Sequence, residues 1–366
     1  MVSQRNLLLD VFRGLAIFLV LLRHGALTAI TTRMGWIGVD LFFVLSGFLV
    51  SGLLFREYAA NGSLRAGRFL LRRAFKIYPL FYAVVVIYLF YNWWKGVSVT
   101  TGSVLAELFF FQNYHPGIIG ISWSLAIEEH FYLLLALVLT LAATRGYLKG
   151  RIVPVVCILI MLLCLTGRAL TNAWLPFSPY THFFPTHLRI DSLTAGVLLS
   201  WYYHYRYEAT KTFARRYYPA LLIVVAAGLL PAFLMEAENE FILVPGFTLL
   251  YVAFGAALAI GLIFQWRIER ILAATRLKGL YRALAFIGRY SYAIYLVHML
   301  AGPAISNFIN QYFFRGDLPV ISVFLLKTAA NIGTGILLTW LIEKPALGWR
   351  DRYFPAPVLK PSASHV

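Results

Sequence analysis

The sequence predicts an all-α protein that crosses a membrane about ten times, with both termini on the cytoplasmic side. Three observations carry that expectation. The chain is 60% apolar and only 13% charged, with a mean hydropathy of +0.74, where soluble domains carry roughly 25% charged residues. Its apolar residues fall in runs close to the roughly 20 residues that one bilayer-spanning helix needs. Lys and Arg also alternate between successive connections. The N-terminus, every second connection and the tail hold twenty-three of them, while the intervening connections hold only Arg33, Lys95 and Arg315. That bias places the basic side in the cytoplasm. The net charge of +17 then reflects topology and anionic lipid headgroups as partners, not nucleic acid. Water-soluble enzymes, disordered chains and disulfide scaffolds are excluded.

The first span, 7–30, follows Arg5 but has no extended basic n-region. It carries Asp10 and Arg13 within the apolar run, so it reads as a membrane helix and not as a cleavable signal. Span 37–55 leads into Arg56, Arg65, Arg68, Arg72, Arg73 and Lys76. Span 77–94 precedes the longest outward connection, 95–121, in which 107–114 is expected to dip into the membrane. Span 122–143 returns to Arg145, Lys149 and Arg151. Span 152–170 holds Cys157 and Cys164, which share a helix face but are too far apart to form a disulfide. Span 187–204 leads to Arg206, Lys211, Arg215 and Arg216, and span 217–235 leads to the outward Glu236, Glu238 and Glu240. Span 241–265 precedes Arg267, Arg270, Arg276, Lys278 and Arg282. Spans 286–309 and 319–342 complete the set, followed by Lys344, Arg350, Arg352 and Lys360. One membrane domain, 1–345, and a short cytoplasmic tail, 346–366, account for the chain, and no inverted repeat of the transporter kind is visible.

An ionisable residue inside a span is costly unless it faces protein or water, so each one is a functional candidate. At 100° per residue, Arg13 and His24 fall on one helix face, about 16 Å apart, with Asp10 on the same side. The span from 122 opens Ser122-Trp123-Ser124-Leu125-Ala126-Ile127-Glu128 and puts Ser124 and Glu128 on one face, at a depth comparable with His24. A histidine and a glutamate at one depth can serve as a base and its orienting partner. The plainer alternatives are an Asp10–Arg13 ion pair and a solvated Glu128 in an interfacial aromatic belt. Arg68, Arg72, Arg73 and Lys76 read either as an anchor on anionic lipid or as a clamp for phosphates. The outward aromatics Trp174, Phe177, Tyr180, Phe183 and Phe184 can stack on sugars or anchor at the interface.

Seven stretches, in order through nearly the whole chain, resemble the acyltransferase-3 family of integral membrane acyltransferases. They are Leu9-Asp10-Val11-Phe12-Arg13-Gly14-Leu15-Ala16 with His24; Gly35 to Leu49, including Asp40; Arg72-Arg73-Ala74-Phe75-Lys76 to Pro79; Trp123-Ser124 through Glu128 to Tyr132; Arg189-Ile190-Asp191 to Gly196; Gly288 to His298; and Glu343-Lys344-Pro345. The resemblance implies transfer of an acyl group, usually acetyl from acetyl-CoA, to a hydroxyl of a carbohydrate or glycan-like acceptor, with no metal. It makes His24 the expected catalytic group and Arg13 essential. It associates Arg72, Arg73 and Lys76 with CoA, although Lys76 stands where the family more often has arginine.

In this picture Arg13 also reaches the CoA phosphates, Glu128 or Asp40 orients His24, and His24 either acts as general base or carries the acyl group covalently. Asp10, Ser124, Trp123, Arg189, Asp191 and His298 line the substrate path. The expected location is the inner, cytoplasmic membrane. Some family members carry a fused extracytoplasmic hydrolase-like domain. The sequence ends at Val366 without one, so the chain is expected to act alone or to pass the acyl group to a separate extracytoplasmic transferase. Two other classes stay open, a transporter or flippase for a lipid-linked glycan and a non-catalytic subunit of a polysaccharide assembly machine.

Overall fold

A computed structural model describes residues 6–25 and 27–356. Arg5 and Lys360, counted above among the basic residues, lie outside them, as does the tail from 357. Fifteen α-helices follow one another among the described residues. The first half comprises α1 (Leu7–Gly25), α2 (Ala29–Met34), α3 (Ile37–Asn61), α4 (Ala66–Trp94), α5 (Thr101–Leu108), α6 (Trp123–Thr144) and α7 (Ile152–Trp174). The second comprises α8 (Thr186–Tyr205), α9 (Tyr207–Leu234), α10 (Phe247–Ala273), α11 (Lys278–Arg289), α12 (Ser291–Val297), α13 (Ala301–Phe314), α14 (Val320–Leu338) and α15 (Lys344–Tyr353). There is no strand among the described residues.

Seven helical segments are long and apolar enough to cross a membrane, and α12 with α13 makes an eighth if that bent pair is one broken span. The two expected spans left over are α1 and α8. At 19 and 20 residues they have the length for a crossing, but they carry Asp10, Arg13 and Arg23, and Arg189 and Asp191. Both pack inside the bundle, where protein can face those charges. The molecule is an all-α, multi-pass membrane protein.

Two close helix crossings hold the centre. Gly47 of α3 lies against the backbone of Leu193, and Gly196 of α8 lies against the backbone of Val44, Gly47 and Phe48. Gly14 of α1 meets the backbone of Leu284, and Gly288 of α11 meets that of Asp10. A methyl group at any of these positions would collide with main chain. Small residues let membrane helices approach this closely.

Local chemistry ends elements where hydrophobicity alone does not. The apolar run 7–30 is cut at Gly25, because the Thr28 hydroxyl accepts the Thr31 N–H at 3.2 Å and starts α2. Run 286–309 is broken between α12 and α13, which are bent by 61°. Pro303 sits in the first turn of α13, where it has no N–H to offer the carbonyl four residues back and cannot continue a helix through the break. In the segment 107–114, Glu107, Phe110, Gln112 and Asn113 turn into the protein, while Phe109 and Phe111 face outward. Glu107 is buried, and its Oε2 accepts the N–H groups of Ile118 at 2.9 Å and Ile119 at 3.2 Å. Burial pushes this carboxyl above the ordinary range, with those two bonds pulling the other way.

Candidate active site

One cavity, of about 130 Å³, lies at the basic end of the bundle. Four cationic side chains reach its wall: Arg13 from α1, Arg73 and Lys76 from α4, and Arg289 from the end of α11. Glu128 of α6 faces them. The Tyr132 hydroxyl donates to Glu128 Oε2 at 2.6 Å, which leaves the Ser46 hydroxyl as donor to Tyr132 at 2.5 Å. The Arg73 guanidinium lies 5.4 Å from the Tyr132 ring centre. Lys76 is ion-paired with Glu343. Asp10, buried behind the wall, lies 3.8 Å from Arg13 and 3.7 Å from Arg289.

A second cavity, of about 280 Å³, lies at the opposite end. Its walls are largely aromatic, with Trp36, Trp123, Phe177, Phe183 and Phe184, and its ionisable groups are Arg23, His24 and Glu238. Trp123 stacks on Phe184 with ring centres 4.6 Å apart. Arg189 props this wall from behind. Its guanidinium lies 3.7 Å from the Phe247 ring centre and 4.9 Å from that of Phe183.

Val39 and Tyr295 line both cavities. Tyr295 is held at the junction by its hydroxyl, which donates to the Ile121 carbonyl at 2.7 Å and accepts from the Ser124 hydroxyl at 2.7 Å. One turn further along the chain, His298 Nε2 lies 3.1 Å from His24 Nδ1, with ring centres 4.9 Å apart. His24 Nδ1 is also 3.1 Å from the Val20 carbonyl, and His298 Nδ1 is 2.7 Å from the Tyr295 carbonyl.

This geometry revises several sequence expectations. The ring partner of His24 is His298, and neither Glu128 nor Asp40 fills that place. Glu128 serves the other cavity. Asp40 is fully buried and accepts from Arg189 at 2.8 Å and from Ser192 at 3.2 Å. Arg189 and Asp191 are likewise fully buried and line neither cavity. Asp191 is bound by Arg168 at 2.5 Å, and Arg168 also donates to the carbonyls of Leu188 and Val244 and to Thr248. A charge in a membrane core needs a partner, and these charges are used on one another. His298 is buried and acts on His24 instead of lining the path. Arg72, unlike Arg73 and Lys76, does not line the basic cavity. It pairs with Asp351 at 3.1 Å and donates to the Phe354 carbonyl, holding α15 against α4.

Trp123 and Ser124 do line a cavity, one each. Sequence reasoning missed Arg289 and Tyr295, although both lie in the Gly288–His298 stretch, and it passed over Arg168, an intramembrane charge that its own rule should have flagged.

Residues 6–341 match the acyltransferase domain family, acyltransferase-3. The chain belongs to this family. Similar proteins include the O-acetyltransferase OatA of Staphylococcus aureus (strain NCTC 8325 / PS 47), 26% identical over 92% of this chain and 57% of that protein. SAR0937 of Staphylococcus aureus (strain MRSA252), named as a candidate O-acetyltransferase, is 25% identical over 95% of this chain and 59% of its own length. The chain therefore spans a little under three fifths of these relatives. No solved structure matches it. Within this acyltransferase-3 domain, the motif residues fall into two sets. Arg13, His24, Arg73, Lys76, Ser124 and Glu128 line the cavities, whereas Asp40, Arg189 and Asp191 tie the helices behind them.

Proposed function

We propose that this chain is an O-acetyltransferase of the inner membrane that moves an acetyl group from cytoplasmic acetyl-CoA to a hydroxyl of a carbohydrate or glycan-like acceptor on the opposite side. The observation that carries this is the meeting of two unlike cavities at Val39 and Tyr295, with four cations lining one and an imidazole among aromatic rings in the other. Clustered guanidinium groups suit phosphates. At about 130 Å³ the basic cavity is smaller than the roughly 300–1,000 Å³ that takes a whole small molecule. It therefore receives the thin thioester arm and the phosphates next to it, and leaves the adenosine outside at the basic loop. Aromatic walls with few polar groups suit sugar rings. The relatives named as O-acetyltransferases support the chemistry.

His24 takes the proton of the acceptor hydroxyl as that oxygen attacks the thioester carbonyl. As the tetrahedral intermediate collapses and the C–S bond breaks, His24 returns the proton to the departing thiolate. Arg13, Arg73, Lys76 and Arg289 hold the phosphates below. Glu128, within electrostatic reach of Arg73 and Arg13, keeps this cationic wall from repelling itself apart. The test is release of free thiol from acetyl-CoA by membrane vesicles containing the chain. Release should rise when a glycan acceptor is added. Vesicles that translocate the glycan with no acceptor-dependent thiol release would instead identify a transporter.

A further inference from the structure

We infer that His298 is a positioning residue that fixes the tautomer of His24 and leaves its basic lone pair on Nε2. This rests on the base role proposed above for His24, but the geometry behind it is independent of that role. A carbonyl oxygen can only accept a hydrogen bond. His298 Nδ1, 2.7 Å from the Tyr295 carbonyl, must therefore carry a proton. In a neutral ring its Nε2 is then an acceptor. That acceptor faces His24 Nδ1 at 3.1 Å, and the same Nδ1 faces the Val20 carbonyl at 3.1 Å. With acceptors on both sides, His24 Nδ1 must be the protonated nitrogen, so the lone pair falls on Nε2.

The alternative fails on the same contacts. If His298 were doubly protonated, it would donate to a bare His24 Nδ1. That lone pair would then point at the Val20 carbonyl oxygen, acceptor against acceptor. Free imidazole side chains favour the opposite tautomer, with the proton on Nε2, and a base in that form would present no lone pair there. The second ring nitrogen of a histidine generally sets which tautomer is present.

The helix break supplies the starting point of this chain of bonds. A helix leaves its last carbonyls without intrahelical donors, and α12 ends at Val297 with His298 as its cap. The Tyr295 carbonyl is thus available in the membrane interior, and the His298 ring satisfies it. An unbroken helix would have used that carbonyl for its own ladder. When His24 takes a proton on Nε2, its Nδ1–H already has two acceptors, so the imidazolium forms without rearrangement. This is the place that Glu128 and Asp40 do not occupy.

Two measurements test the inference. The first is the nitrogen spectrum of histidine-labelled wild-type chain in lipid, with the His24 signals identified by their loss in His24→Gln. The expected result is a protonated Nδ1 and an unprotonated Nε2 at neutral pH. The second compares His298→Gln, whose amide oxygen can still accept from His24, with His298→Leu, which is similar in bulk but cannot. His298→Gln should keep kcat within about threefold. His298→Leu should lose at least about tenfold in kcat, at an unchanged KM for acetyl-CoA. A protonated Nε2, a Leu variant with wild-type kcat, or Gln and Leu variants equally impaired would each overturn the proposal. If the Leu variant fails to accumulate, the tautomer of the wild-type chain decides. If the wild-type chain transfers no acetyl group, the functional proposal fails, while the spectrum still reports the hydrogen-bond chain.

Discussion

Arg72 and Arg73 are adjacent, yet a helix turns successive side chains about 100° apart, and α4 gives them different work. Arg73 faces the cavity beside Glu128, while Arg72 is used on Asp351 and the Phe354 carbonyl of the C-terminal segment. Hydrogen bonds to a charged group contribute about 1.5–3 kcal/mol. Arg73→Gln should therefore raise KM for acetyl-CoA roughly tenfold to a hundredfold, with KM for the acceptor little changed. Arg72→Gln should shift it less than about twofold. Steady-state kinetics in vesicles separates the two, and equal effects would return Arg72 to the phosphate site. Nothing in the local sequence distinguishes these arginines, because the carboxylate that claims one of them, Asp351, belongs to the far C-terminal segment. Arg13 and His24 were legible for the converse reason. They lie on one uninterrupted helix, so 100° per residue was enough to place them on one face, about 16 Å apart.

Buried ion pairs join neighbouring helices. Asp40 and Arg189 link α3 to α8, and Arg168 and Asp191 link α7 to α8. Removing one member of such a pair leaves an uncompensated charge and costs about 3–5 kcal/mol, whereas replacing both by apolar groups is often neutral. Asp40→Leu should therefore reduce the amount of folded protein and its melting temperature in detergent. Asp40→Leu combined with Arg189→Met should recover much of both. A fully stable Asp40→Leu chain that lacks only catalysis would return Asp40 to the chemistry. The cost of intramembrane charge flags Asp40, Arg189, Asp191 and His24 alike. Separating a tie between helices from a catalytic group requires knowing which helices touch, and that contact is set by Gly47 and Gly196 meeting across distant parts of the chain. Run 286–309 looked continuous for a related reason. Its apolar pattern persists through His298, and only the position of Pro303 hints at the break that gives His298 its role.

At the scale of the whole molecule, the alternation of basic loops depends only on where Lys and Arg fall along the chain, so the general architecture could be read without coordinates. The two cavities could not, since each is assembled from several helices. Sidedness can be measured directly. Single cysteines at Glu238, beside the aromatic cavity, and at Arg276, in the connection between α10 and α11, should react with an impermeant thiol reagent from opposite faces of sealed vesicles. Labelling of both from one face would contradict the proposed path from cytoplasmic donor to external acceptor. The chemistry at the end of that path rests on His24. Its most direct test is transfer of radiolabelled acetyl from acetyl-CoA by vesicles holding equal amounts of the wild-type and His24→Gln chains. Glutamine keeps much of the volume and the hydrogen bonding but cannot take a proton near neutral pH. Loss of a general base should slow transfer by roughly 10²–10⁴-fold at equal protein, whereas near-normal acetylation by His24→Gln would remove His24 from the reaction.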